Sequence, residues 1–232
     1  VTDRLSLSWP SPQPFAGRAG RPIRVLAVSD ETDASLESGR TREGLGQLDL
    51  VIGCGDLEPP YLAFLADAFS APLAYVRGNH DVGRAWGAGE RTMLPEPLVD
   101  GRLFDEAGLP LLGFSGSPEY APRYGPGAEQ QVSGFAMWRR VLTAWPRTVR
   151  HGPLLLLSHA APRGLNDASD PAHRGFTAFR WLLERLAPPL WLHGHTSLVR
   201  RGLDGRCRRH GRTLLVNVTG AVLVELQPPA GV

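Results

Sequence analysis

Residues 73–81 read Leu73-Ala74-Tyr75-Val76-Arg77-Gly78-Asn79-His80-Asp81. A short apolar run stops at a charged residue, and a glycine then releases an amide, an imidazole and a carboxylate in succession. Such a run, bounded by polar punctuation, reads as a buried strand running into a loop. Working outward, the same arrangement recurs three times. Residues 48–52 (LDLVI) precede Gly55-Asp56, residues 154–157 (LLLL) precede Ser158-His159, and residues 190–192 (LWL) precede Gly194-His195. Asp, Asn and two His are the donor types that hold a hard or borderline divalent cation. Side chains this far apart in sequence meet only if their strands end at one edge of one sheet. In open α/β sheets that edge, outside the carboxyl ends of the strands, is where ligands collect. The chain reads as a support for a metal centre built from loops.

The segments between these strings support that layout. Residues 23–29 (IRVLAVS) form another buried-strand pattern ending at Asp30. Residues 60–69 place Tyr61, Leu62, Leu65 and Phe69 on one helical face, and this strand–helix alternation argues for parallel strands. Residues 103–114 predict a β-hairpin about Glu106-Ala107-Gly108, 115–127 a loop rich in Pro, Gly and Tyr, and 130–145 a helix. An amphipathic helix is predicted over 175–186, with Phe176, Phe179, Leu182, Leu183 and Leu186 inward. Residues 213–218 and 221–226 predict two closing strands. The fold class is therefore α/β. Residues 1–21, with Pro10, Pro12 and Pro14 and no secretory core, predict a flexible N-terminal arm, and 22–232 a single domain.

Length and composition exclude several classes. At 232 residues roughly 70–75% of the unfolded chain's surface can be buried, so the core needs no covalent staple. Hydrophobic content of 42% and charged content of 21% are ordinary for a globular protein. Cys54 and Cys207 form no spacing pattern, which predicts a reducing, cytoplasmic compartment. No apolar run approaches the roughly 20 residues that span a bilayer, so no membrane association is expected. Net charge is +2, all of it from Arg against Asp and Glu, with no Lys, and it leaves no global footprint for nucleic acid. The basic run Arg200, Arg201, Arg206, Arg208, Arg209, His210 and Arg212 reads as a solvated hairpin tip or as an anion-steering patch.

The ordered set Asp30, Gly55-Asp56, Gly78-Asn79-His80-Asp81, His159 and Gly194-His195 resembles the calcineurin-like metallophosphoesterases over about residues 23–226. Ser29-Asp30-Glu31, residues 170–179 (DPAHRGFTAF) and Leu192-His193-Gly194-His195 are similar to one bacterial branch of that superfamily. The resemblance implies two stacked mixed sheets flanked by helices, a four-layer α/β/β/α sandwich, with two metal ions at the strand ends. It implies that Asp56 bridges the ions, that Asn79, His159 and His195 complete one of them, and that Asp30 binds the other. It further implies that His80 stands beside the leaving oxygen as general acid or charge stabiliser, with Asp81 orienting its ring. The donor chemistry agrees: mixed oxygen and imidazole ligands suit Mn, Fe or Zn, one or two ions per chain, and a carboxylate bridges two cations well. The implied activity is hydrolysis of a small phosphorylated substrate, a phosphomonoester or phosphodiester. The competing reading is a weak or inactive metal- or nucleotide-binding protein on the same fold.

The family pattern is broken at two places. Asp30-Glu31-Thr32 stands where Asp-x-His is usual, and Gly194-His195-Thr196-Ser197 where Gly-His-x-His is usual. Both missing histidines belong to the metal held by Asp30. Three readings stay open: a mononuclear centre, a second ion held by substitutes among Glu31, Asp33, His173 and His193, or a cleft that only binds phosphate. Alternation along an extended segment turns Glu31 away from Asp30, whereas His193 lies two before His195 and so shares its side. His173 and Arg174, on a loop before a helix, are candidate phosphate contacts. Cys54 reads as a small buried filler and Asn217 as a support for the site from behind. Trp9, Trp86 and Trp138 read as core residues, although exposed tryptophans would mark an interface; the oligomeric state is not legible.

Overall fold

The computed structural model describes residues 2–87, 94–120, 129–197 and 202–229. In chain order the first strands are β1 (Asp3–Ser8), β2 (Ile23–Ser29), β3 (Leu50–Gly53) and β4 (Leu73–Tyr75). Then come β5 (Leu103–Glu106), β6 (Leu109–Phe114), β7 (Ser117–Pro118), β8 (Gln131–Val132) and β9 (Leu155–Ser158). The last are β10 (Leu190–His193), β11 (Cys207–His210), β12 (Thr213–Asn217) and β13 (Gly220–Gln227). One mixed sheet runs β1-β13-β2-β3-β4 and the other β11-β12-β10-β9-β6-β5, while β7 and β8 form a short parallel pair.

Each strand end bearing a donor belongs to a parallel pair. β2–β3 and β3–β4 are parallel in the first sheet, and β6–β9, β9–β10 and β10–β12 in the second. Parallel neighbours need long crossovers, and helices supply them: Gly39–Leu45, Pro59–Phe69, Gly134–Thr148 and Thr177–Leu186. The apolar runs lack clean alternation because both strand faces are buried. Val25, Ala27, Ile52, Leu155, Leu157, Leu190 and Leu192 meet between the sheets. On the outer faces, Leu26, Val28 and Val51 pack under the first two helices, and Leu154, Leu156 and Trp191 under the other two. The layers are α/β/β/α. At about 1.5–3 kcal/mol per large apolar side chain buried, this core offsets the cost of the polar groups buried at its edge.

The predicted arm over residues 1–21 is corrected. β1 pairs in parallel with β13 from Asp3↔Val222 to Ser8↔Gln227, and Trp9 and Phe15 are buried in the intersheet core. Leu5, Leu7 and Trp9 alternate with a period of two, as an edge strand requires, and the prolines come only after it. The helix predicted over 130–145 starts later, at Gly134, because Gln131 and Val132 pair with Ser117 and Pro118. Ser133 caps it, its side chain accepting from the Ala136 N–H at 3.2 Å.

The basic run is divided rather than solvated throughout. Arg208, Arg209 and Arg212 are exposed on the β11–β12 hairpin, but Arg206 is buried. It donates to Asp3 at 2.5 Å and to the carbonyls of Asn217 and Thr219 at 3.2 and 2.7 Å. Arg200 and Arg201 lie outside the described residues, as do 121–127 of the predicted loop. Trp9 and Trp86 are buried, and Trp138 packs against Trp181 at 5.7 Å between ring centroids. Among the described residues no helix is long and apolar enough to cross a membrane.

Candidate metal centre

The donor loops are tied to one another directly. Asp30 N–H donates to Gly55 O at 3.1 Å, Gly116 N–H to Arg77 O at 2.8 Å, and Gly194 N–H to His159 O at 3.0 Å. Asp30, Asp56 and His195 all adopt the left-handed region, with φ of 59°, 57° and 66°. Such backbone conformations persist where the surroundings over-determine them, and here they turn each side chain out of its strand direction toward one point. The glycines of the motifs make room. A Cβ on Gly78 would lie 2.0 Å from Asp56 Oδ1, and one on Gly194 would lie 2.2 Å from Asp30 Oδ2.

Asp56, His159 and His195 each offer a ligand atom, and these atoms lie within 4.8 Å of one another. His159 donates from Nδ1 to the Cys54 carbonyl at 2.8 Å, so its other nitrogen is the one left for the cleft. That Nε2 lies 2.9 Å from Asn79 Oδ1 and 3.2 Å from Asp56 Oδ2. His195 donates from Nε2 to Ala172 O at 2.8 Å, which leaves Nδ1 as its donor atom. Four lone-pair-bearing atoms thus face one space, an arrangement that only a cation or a shared proton relieves. Burial pushes the His159 imidazole down, but the Asp56 carboxylate and then Asp30 outweigh it and raise its pKa to about 9. Burial and the His159 charge push His195 down to about 3, which keeps it neutral. Asp56, despite burial, is held below the usual carboxylate range by His159. The donor set, mixed oxygen and imidazole, fits a divalent metal ion.

Beside Asp30 the fit is poorer. Both Asp30 oxygens accept the His195 backbone N–H, at 3.0 and 2.9 Å, and the Thr219 hydroxyl lies 3.5 Å from Oδ2. Burial raises the Asp30 pKa. Glu31, Thr32 and Asp33 line a neighbouring hollow of about 440 Å³, and Asp33 accepts the Ser35 N–H at 3.0 Å. His193 does not share the side of His195. It is fully buried, donating from Nδ1 to Gly194 O at 3.1 Å and accepting from Asn166 at 3.3 Å, and burial pushes it down to about 4. It is a satisfied structural histidine. The left-handed turn at His195 breaks the alternation from which a common side was expected. His173 does reach the cleft, its ring 5.3 Å from that of His195, but its Nδ1 is held by Asp170 at 2.8 Å. Arg174 is exposed and donates to Ser169 O.

The cleft, about 340 Å³, is lined by Asp30, Asp56, Asn79, His80, Tyr120 and His173 among others. His80 is largely exposed, with its backbone N–H donating to Asp56 Oδ1 at 2.8 Å and its Nε2 4.0 Å from Asp56 Oδ2. The expectation that Asp81 orients the His80 ring is corrected. Asp81 Oδ2 accepts the backbone N–H groups of Gly78 and Asp56 at 2.7 and 3.0 Å, stapling the two loops together. Burial raises its pKa to about 6. The acid beside the His80 ring is Glu129, 3.7 Å from Nδ1, and this residue carried no motif in the sequence. Cys54 is buried between the sheets, and burial pushes its thiol up. Asn217 does back the site, donating to Thr196 O at 2.7 Å and accepting the Thr219 N–H at 2.9 Å.

The model of the family described as calcineurin-like phosphoesterase matches residues 35–197, and the chain belongs to that family. Asp30 falls outside the matched span. Among solved structures, TT1561 of Thermus thermophilus is similar with a TM-score of 0.59 and 17% identity, over 86% of this chain and 90% of that one. A dimetal phosphatase from Danio rerio is similar with a TM-score of 0.50 and 13% identity, over 86% and 88%. At these identities the likeness is one of fold. No curated protein matches the chain. The family and the convergent donors make this a metal-dependent phosphoester hydrolase in general terms.

Proposed function

We propose that the protein hydrolyses a small phosphomonoester or phosphodiester with one firmly held divalent cation, Mn, Fe or Zn, on Asp56, Asn79, His159 and His195. The observation that carries this is the convergence of those four donors, with both histidine tautomers set by backbone carbonyls. Asp30, occupied on both oxygens by one backbone N–H, acts here as a clamp on His195. When bound, a divalent cation polarises a phosphoryl oxygen and acidifies water toward neutrality. The chain's residues do the rest. Asp56 holds the His80 backbone N–H, so the acid moves with the metal-binding loop. The exposed His80 ring reaches the cleft mouth, where it delivers a proton to the departing oxygen. Asp81 keeps the 55–56 and 78–81 loops in register. Both cysteines are free, which supports a reducing compartment, and we assign the cytoplasm.

Metal content per chain after Mn loading, measured alongside hydrolysis of bis(4-nitrophenyl) phosphate and 4-nitrophenyl phosphate, tests the reading. About one ion per chain with turnover is expected. Two ions with turnover would restore Asp30 as a ligand, one ion without turnover would favour the binding protein, and no retained metal would refute the centre.

A further inference from the structure

Glu129 closes one wall of the metal cleft and has no part in the proposed hydrolysis so far. Its Oε2 accepts from Asn79 Nδ2 at 3.2 Å, from Gln131 Nε2 at 3.3 Å and from the Tyr120 hydroxyl. Its Oε1 lies 3.7 Å from His80 Nδ1. The backbone next to it is tethered to the same loop, Gln130 N–H donating to Asn79 O at 2.7 Å.

An asparagine amide can present either oxygen or nitrogen, and only the oxygen can face a cation or a protonated imidazole. A carboxylate behind Asn79 engages the NH₂ group and turns Oδ1 toward His159, where it lies at 2.9 Å. The other oxygen of the same carboxylate lies 3.7 Å from Nδ1 of the His80 ring, within ion-pair reach but beyond hydrogen-bond length, while Nε2 lies 4.0 Å from Asp56 Oδ2.

We propose that Glu129 is the positioning residue of this site, orienting Asn79 for the cation and His80 for the leaving group through its two oxygens. The His80 half rests on the phosphoesterase reading; the Asn79 half needs only that the centre binds metal.

The experiment compares Glu129→Gln and Glu129→Ala with wild type in the full chain, after circular dichroism has shown that each variant is folded. Mn affinity is measured by calorimetry. Turnover is measured on two aryl phosphates that differ only in the leaving group, 4-nitrophenolate or phenolate. Glu129→Ala should weaken Mn binding about 10–100-fold, as loss of a ligand's supporting partner does. Glu129→Gln still accepts from Asn79 and should bind Mn close to wild type. It should nonetheless lose about 10-fold more rate on the phenolate ester than on the 4-nitrophenolate ester, because only the poorer leaving group needs the proton. Unchanged Mn affinity in Glu129→Ala overturns the Asn79 half. Equal losses on the two esters in Glu129→Gln overturn the His80 half. If wild type hydrolyses neither ester, the hydrolytic reading and with it the His80 half fall, and the Mn titration still decides the Asn79 half.

Discussion

The backbone N–H of His195 donates to both carboxylate oxygens of Asp30, at 3.0 and 2.9 Å, across 165 residues of chain. That contact holds His195 in its left-handed conformation and with it the direction of its ring. Asp30→Ala, which leaves no oxygen to accept that N–H, should therefore keep about one metal per chain while weakening Mn affinity about 10–100-fold, the usual effect of losing a ligand's support. Elemental analysis and titration check this. A fall from two ions to one would make Asp30 a ligand instead.

His80 stands at the cleft mouth and contacts the donors only through its backbone and at the 4.0 Å edge of Asp56. His80→Asn should lower kcat about 10²–10⁴-fold, the range for a general acid, with metal content unchanged. Equal turnover in the metal-loaded variant would remove His80 from the chemistry.

Gly78 has no room for a side chain, since a Cβ there would sit 2.0 Å from Asp56 Oδ1 and 2.6 Å from the Asp56 backbone nitrogen. Gly78→Ala should displace the bridge between the two loops, destabilise the fold by about 1–3 kcal/mol and abolish Mn retention. Thermal unfolding and metal content report both effects. Gly39 meets no atom within 4 Å among the described residues and, like Gly78, is not left-handed, so Gly39→Ala is the control that isolates the steric conflict at the centre.

Arg206 ties β1 to the end of β12 at Asn217 and to Thr219 just beyond it. Arg206→Met leaves Asp3 and two carbonyls without their charged donor, and should cost about 1–3 kcal/mol. Hydrogen exchange should show protection lost over Asp3–Ser8 first. Undiminished protection there would mean that pairing with β13 alone holds the edge strand.

Much of the centre was legible in the chain. Asp56, Asn79, His159 and His195 each follow a strand of buried residues, but not strands of one sheet as the sequence suggested: β3 and β4 belong to one sheet and β9 and β10 to the other, and it is the stacking of the two that brings their carboxyl ends together. The unreadable parts share a cause. Asp81 is next to His80 in sequence, yet its carboxylate serves Gly78 and Asp56, because the turn at the loop points it inward. Glu129 reaches Asn79 across 50 residues with no motif to mark it. His193 and His195 part company through one left-handed residue, which a two-residue period cannot anticipate.

Strand pattern, donor identity and order along the chain follow from local chemistry, and the amino-acid sequence determined them unaided: an α/β protein with a carboxylate, an amide and two imidazoles at strand ends. Which nitrogen of each imidazole faces the cleft, whether Asp30 clamps a backbone or awaits an ion, and that the first residues complete a sheet were decided only by the tertiary structure. Each of these depends on hydrogen-bond partners that lie far away along the chain and become neighbours only when the two sheets close on each other.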